Sequence, residues 1–327
     1  MQEVILKAFF IVDNFLPIID PYSCTMSSSV VSSEFVHTGY GKNYVKLIQL
    51  RRDGPVHYVK EVEVNTQITL NNHRDYLFGD NSDIIATDSQ KNTTYILAKQ
   101  FGIETIEKFG MLMCEHFLNK YRHVVNAKIY IEEAPWRRIE KNGRQHVHAF
   151  VMSPESKRFC EVEQKRGEKA CVAAGIKDMK ILKTTQSAFR NFVDDEYRTL
   201  PDVDDRFFST IVYCRWTYND VTGLDFDRAW DIVKSAIIDT FAGPPETGVF
   251  SPSVQKTLYL AEKNALALIP QVDTIEMTLP NVHYFNIDFK RFPKMEFGGS
   301  KQDVYLPTDK PSGNIQATIR RSQTSKL

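Results

Sequence analysis

Residues Val56 to Leu70 alternate in character without a break, and Val62, Val64, Thr66, Ile68 and Leu70 fall on one face. A period of two sustained over this length fits an extended strand and not a helix. Immediately upstream, Val45, Leu47, Gln49 and Arg51 alternate against Tyr44, Lys46, Ile48 and Leu50. Arg52-Asp53-Gly54-Pro55 between the two runs is a turn signal, so they form a β-hairpin. Strands this long, apolar on one face, belong to an antiparallel sheet covered on one side.

Two helices are expected next. Thr87 or Asp88 caps the first, carried by residues 92–100; Thr105 caps the second, whose core face holds Ile106, Phe109, Met113 and Phe117. Strand patterns return at 124–133, 146–152 and 159–164, with Asn142-Gly143 at a turn. The second half follows the same order loosely. It has strands near 179–183 and 208–217, helices near 226–241 and 254–268, then strands at 274–279, 284–288 and 314–320. The plan is β-β-α-α-β-β, twice, with little residue-level similarity between the halves. The expected fold class is therefore α+β: two domains, each an antiparallel sheet backed by helices, joined near 167–175.

Composition narrows the function classes. Among 327 residues, Lys plus Arg and Asp plus Glu both number 41. Zero formal charge argues against a nucleic-acid binder and against a polybasic membrane-surface protein, since both need a basic excess. The five cysteines, Cys24, Cys114, Cys160, Cys171 and Cys214, are odd in number and widely spaced, as reduced thiols would be. They make no thiolate zinc motif. The chain has no glycine-rich dinucleotide fingerprint, no P-loop and no nucleophile elbow. His146 and His148 share one strand face, but no third ligand sits at useful spacing, so the pair is read as structural. Asn92-Thr93-Thr94 is a glycosylation sequon, read as helix surface.

The chain ends in Ser325-Lys326-Leu327, a receptor-read peroxisomal address. Near the start, residues 4–19 are apolar-rich, but Lys7, Asp13 and Pro17 interrupt them. No span of about 20 uncharged apolar residues results, so a membrane helix is not expected. A Ser-rich stretch opens at Met26. Residues 1–25 are expected to lie outside the working fold, with Met26 the biological initiator.

Five segments are polar where loops meet regular elements. They are Tyr40-Gly41-Lys42; Gly79 through Asp88; Lys183-Thr184-Thr185-Gln186-Ser187-Ala188-Phe189 leading to Tyr197, Leu200 and Arg206; Ser251 through Gln255; and Leu279 through Phe285. Each alone is an ordinary loop or cap. In combination and in this order they resemble urate oxidase (uricase), from about Tyr40 to Leu327. Met179 departs from the leucine usual in that family, and residues 1–25 have no counterpart there.

The resemblance implies two tandem tunnelling-fold domains, at 40–170 and 171–322. An N-terminal extension (1–39) would precede them and a tail (323–327) carry the peroxisomal signal. It implies a homotetramer with active sites shared between chains, and a cofactor-free, metal-free oxidase taking urate and O2 to 5-hydroxyisourate and hydrogen peroxide. Arg206 resembles the urate-binding arginine, with Gln255 and the backbone at Val254 as its partners. Phe189 resembles the stacking platform, and Leu200 and Ile315 the apolar walls. Asn281 resembles the residue holding oxygen above the ring, and Asp88 a substrate-placing residue from the neighbouring chain. Lys42, Thr87 and His283 resemble a proton relay. A lysine releases its proton more readily when desolvated, a hydroxyl both donates and accepts, and imidazole titrates near neutrality. The competing expectations are a zinc-dependent purine or pterin enzyme of the same fold, for which His146 and His148 are the best candidate ligands and a third is missing, and a non-catalytic purine-binding relative.

Overall fold

The computed structural model describes residues 32–295 and 303–322. Contacts divide the chain into Met1–His37 and Thr38–Leu327. In the first unit, residues 32–37 are exposed irregular backbone. Cys24, Met26 and the Ser325-Lys326-Leu327 signal lie outside the described residues.

The second unit opens with the predicted hairpin. Strand β1 (Val45–Asp53) pairs with β2 (Val56–Leu70) in unbroken antiparallel register, Val45 opposite Val64 and Asp53 opposite Val56. Val62, Val64, Thr66, Ile68 and Leu70 are all buried, as the alternation requires. A short helix, α1 (Arg74–Phe78), follows; its five residues are too few to leave a periodic signal. Helix α2 (Thr87–Phe101) begins earlier than the apolar pattern suggested. Ala86 is its N-cap and makes no side-chain capping bond, so the expectation that Thr87 or Asp88 caps it is corrected. Both residues are already inside the first turn, where the Asp88 charge complements the helix dipole. Helix α3 (Ile106–Lys120) is capped as expected, Thr105 Oγ1 accepting from the Lys108 N–H at 3.2 Å. Ile106, Phe109, Met113 and Phe117 are all buried against the sheet.

Strands β3 (Val124–Glu133) and β6 (Lys157–Lys165) extend the sheet. Between them β4 (Trp136–Lys141) and β5 (Arg144–Met152) form a separate two-stranded ribbon turning at Asn142-Gly143. Strand β7 (Cys171–Lys183) starts well before the predicted 179, because Ala173, Ala174 and Gly175 carry little strand signature although buried. Then come β8 (Phe208–Tyr218), α4 (Phe226–Ala242), α5 (Val254–Leu268), β9 (Val272–Asn286), β10 (Tyr305–Thr308) and β11 (Asn314–Arg320). The interval expected to break between residues 279 and 284 is one continuous strand. Pro280 passes through it without slippage, since Thr210 faces Asn281 and Tyr213 faces Thr278 in the same register. The order β1-β2-β3-β6-β7-β8-β9-β10, with β11 also on β9, makes a single antiparallel sheet through both halves. The fold is α+β, as expected.

One face of this sheet is apolar and covered by α2, α3, α4 and α5. The other carries ions and aromatic rings: Lys177 binds Glu132, and Arg215 and Lys128 approach Glu161 at 3.3 and 3.5 Å. On this face Phe159 stacks on Tyr130 and on Tyr213, at 5.7 and 5.6 Å between centroids. Gly175 lies beneath the ring; a Cβ there would come 2.1 Å from Phe159 Cζ. The aromatic row thus crosses the junction of the two halves because this position has no side chain.

Under the sheet, Glu262 of α5 is fully buried, with the Met277 backbone N–H as its neighbouring donor. Burial pushes its pKa up to about 8, well above the ordinary carboxyl value. The unfolded group ionises near 4.5, so the folded chain holds the proton through the interval between. Stability is therefore complete below about pH 4.5 for this group and is lost as pH rises toward 8. Glu262→Gln should flatten that fall, so that urea unfolding at pH 8.5 gives a higher midpoint than wild type, with little difference at pH 5.

Candidate functional site

The predicted site residues fall into two groups. The first lies at the β2 edge of the sheet. Tyr40 and Lys42 pair with β2 before β1 begins. Tyr40 exchanges backbone bonds with Ile68, and the Lys42 carbonyl accepts from the Thr66 N–H at 2.9 Å. The Lys42 N–H donates to Thr66 Oγ1 at 3.0 Å, and Thr66 Oγ1 lies 2.7 Å from Gln90 Oε1 on α2. The Tyr40 hydroxyl accepts from the Ile85 N–H at 2.8 Å, and Gln90 Nε2 donates to the Ile85 carbonyl. This network sets Lys42 beside the start of α2, which carries Thr87 and Asp88. Asp88 accepts from Lys91 at 2.5 Å and from Asn92 at 2.9 Å. The Lys91 bond, then the Lys91 charge, holds the Asp88 carboxyl below its usual range, and the Lys42 charge acts in the same direction.

Gly41 makes this approach possible. A Cβ at that position would sit 1.6 Å from the Thr66 carbonyl oxygen. Gly41 lies in a segment the sequence picked out, but without this role, and Thr66 and Gln90 were not singled out as site-forming. The available signal was a threonine on an otherwise apolar strand stripe, since a polar group buried there needs a partner.

The second group gathers around β8, β9 and the start of α5. The Arg206 N–H donates to the Ser187 carbonyl at 2.8 Å, and Phe189 and Val203 exchange backbone bonds at 2.8 and 2.9 Å. This short ladder holds the Arg206 guanidinium 5.0 Å from the Phe189 ring centroid. Arg206 Nε is buried without a hydrogen-bond partner. Burial lowers the Arg206 pKa, and among the described residues no carboxylate offsets that cost. A half-buried guanidinium with an unpartnered, water-excluded Nε is suited to an anion. Phe192 stacks on Phe189 at 4.4 Å and 15°, covering one face of that ring.

Helix α5 brings in Val254 and Gln255. Its N-cap Ser253 accepts from the Lys256 N–H at 3.1 Å; Val254 is buried and Gln255 exposed. The helix packs back along β9. Its 15 residues span ~22 Å, matched by about seven strand residues. Counted from Val272, its N-terminus therefore comes level with residues 279–280. Asn281 and His283 continue the helix-facing side of β9 beyond that point. The Asn281 N–H donates to the Gly313 carbonyl at 2.8 Å. Ile315 is half-buried on β11, opposite Leu279. His283 stacks on Phe285 at 5.8 Å. Arg206, Ser209, Asn281, Val282 and His283 bound a cavity of about 100 Å³. Leu200 is 60% exposed, on the loop that leads to Val203 and Arg206.

The structure does not bring the two groups together within one chain. From β2 to β9 the sheet order counts five strand steps, or ~24 Å along the sheet. Lys42 and Thr87 thus lie on a different part of the surface from His283.

His146 and His148 lie on β5 with ring centroids 4.6 Å apart. His146 Nδ1 accepts from the His148 and Ala149 N–H groups, which takes that nitrogen away from any metal. Among the described residues no three His, Cys, Asp or Glu side chains are grouped to hold a metal ion. Cys114, Cys160, Cys171 and Cys214 are free thiols.

The Uricase family model matches residues 38–163 and 172–316. The uricase of Oryctolagus cuniculus is 50% identical over 294 residues, spanning 90% of this chain and 97% of that protein. The uricase of Danio rerio matches to the same extent. Among solved structures, uricase from Arthrobacter globiformis superposes with a TM-score of 0.81 at 31% identity, covering 90% of this chain and 98% of that one. Urate oxidase from Bacillus sp. TB-90 shares the fold, with a TM-score of 0.72 at 21% identity.

The matched region includes Tyr40-Gly41-Lys42, whose seating on β2 is directly testable. Gly41→Ala should destabilise the chain by about 1–3 kcal/mol, because the clash is with backbone. Gly39→Ala should change stability by less than about 0.5 kcal/mol, since its Cβ would meet only the movable end of Gln67. Urea unfolding of the two variants beside wild type makes the comparison.

Proposed function

The chain belongs to the uricase family and is a urate oxidase, and from that premise we propose that urate, O2 and water become 5-hydroxyisourate and hydrogen peroxide through a Lys42-Thr87-His283 proton relay without a cofactor. The observation that carries the reading is the half-buried Arg206 guanidinium beside Phe189, whose Nε is buried and unpartnered. Urate is an anion and a flat heterocycle, so it supplies the missing charge and a ring to stack. Phe192 takes one face of Phe189; the substrate stacks on the other. Gln255 and the Val254 backbone meet the ring edge at the start of α5, and Ile315 and Leu200 enclose it. Asn281 holds oxygen above the ring.

Before urate can give up an electron it must become more electron-rich by losing protons. Lys42, through the Thr87 hydroxyl, accepts a proton, and His283 orients or recharges that pair. The ~24 Å of sheet between β2 and β9 means that Lys42, Thr87 and Asp88 serve a site whose Arg206, Asn281 and His283 come from another chain. A homotetramer with shared sites meets this requirement. Within each chain we divide the tandem tunnelling-fold domains at 170–171; the two matched segments flank residues 164–171, which supports that division. The terminal Ser325-Lys326-Leu327 supports peroxisomal import through its receptor. Among the described residues no helix is long and apolar enough to cross a membrane, and zero formal charge gives no support for nucleic-acid binding.

Purified chain starting at Met26, assayed with a chelator present, should lose urate absorbance in step with oxygen uptake and peroxide release. No turnover by a tetramer that still binds urate would establish the non-catalytic alternative. Lys42→Met should lower kcat by about 10²-fold or more with a smaller effect on urate affinity. Arg206→Ala should weaken urate binding by about 10–100-fold, as expected when an anion loses its charged partner. Deleting Leu327 should abolish import into peroxisomes, scored by the location of a fluorescent fusion.

A further inference from the structure

Lys183 ends β7, and its ammonium is held among the end of α4 and the stretch that leads into α5. It makes three hydrogen bonds: to the Phe241 carbonyl at 3.2 Å, the Val249 carbonyl at 2.8 Å and Ser251 Oγ at 2.7 Å. An ammonium has three donors and no acceptor, so its capacity is filled. The Phe241 carbonyl lies in the last turn of α4, where carbonyls lack helical partners and attract a cation. The rings of Phe241 and Phe208 lie 5.3 and 5.8 Å from Nζ and pack edge to face on each other. Burial lowers the Lys183 pKa, and no carboxylate offsets it among the described residues. A lysine held this way, on three neutral acceptors from the end of α4 and the 249–251 stretch, is a tie and not an ion pair.

The tie leads to the substrate residues through Ser251. Thr257 Oγ1, in the first turn of α5, lies 2.8 Å from Ser251 Oγ. The Ser251 N–H donates to the Gln186 carbonyl at 2.8 Å, and the Ser251 carbonyl accepts from the Ala188 N–H at 3.0 Å. This is a parallel bridge between Ser187 and Ser251. Its Ser187 side carries the Phe189 ring two residues on and receives the Arg206 N–H. Its Ser251 side leads into Val254 and Gln255. Ser251 is therefore the point where the two walls of the substrate half-site join, and Lys183 holds its side chain.

We propose that Lys183 is a positioning residue for urate binding: through Ser251 it fixes the spacing between the Phe189–Arg206 wall and the Val254–Gln255 wall. The inference rests on the urate-binding reading of that half-site. Lys183 touches no substrate, and its effect is on how well a preformed site fits a planar anion.

Urate affinity is measured without oxygen by equilibrium dialysis, on tetrameric wild type, Lys183→Met and Ser251→Ala, beside steady-state kinetics. We expect both variants to bind urate about tenfold more weakly and to raise KM while kcat changes less than about threefold. Lys183→Arg should recover part of the affinity, since a guanidinium still reaches some of the acceptors. Ser251→Ala keeps both carbonyl bonds of Lys183 and tests the link if Lys183→Met does not assemble. Unchanged affinity in Ser251→Ala, or a kcat loss at unchanged KM in either variant, would overturn the proposal. Wild type that failed to bind urate would strike down the functional reading and this one with it, whereas normal wild-type binding isolates the fate of this one.

Discussion

The ring of Phe159 lies across Gly175, and much of the molecule depends on that contact. Strand β7 is where the two β-β-α-α-β-β patterns meet. A side chain at position 175 would push the ring aside and interrupt the Tyr130–Phe159–Tyr213 row. With no side chain there, strands from both halves pair at ordinary spacing and the sheet runs on from β6 into β7. The helices can then cover one face continuously, leaving the other to ion pairs and rings. Lys42, Asn281, His283 and Ile315 are placed by their position on or beside this common sheet.

That placement explains why the two groups of site residues differ in character. Around β2 and α2, hydroxyl and amide groups pass hydrogen bonds among Lys42, Thr66 and Gln90. Around β8, β9 and α5, the dominant group is a cation with too few partners, beside an aromatic plane. The first arrangement suits proton movement, the second suits holding an anion. Within one chain the sheet keeps the two groups apart by its width.

Much of this was legible in the sequence where periodicity is strong. The β1–β2 hairpin, α3 with its Thr105 cap, and β11 at 314–320 appear as the residue pattern predicts. Elements without a pattern were missed. Ala173, Ala174 and Gly175 hide the first part of β7, because buried small residues carry no alternation. Pro280 reads as a break, yet β9 runs through it with neighbours paired on either side. The cap of α2 was misplaced because Ala86 has no capping chemistry to recognise. The candidate site residues, with Gly41 and Ser251 beside them, stood in the combined motifs, whereas the supporting roles were not legible. Gly41, Thr66 and Ser251 matter through backbone approach and hydrogen-bond partners distant in sequence, and such pairings exist only once the chain is folded.

The width of the sheet has a genetic consequence. If Lys42 and Arg206 of one chain serve different sites, a lesion in each falls on a different half of the assembly. A chain defective at Lys42 and another defective at Arg206, each inactive alone, would form mixed oligomers in which some sites receive both sound halves and others receive both damaged ones. Two loss-of-function alleles of the same gene could then complement each other in one cell, while a chain carrying both lesions could still lend neither half to a working site.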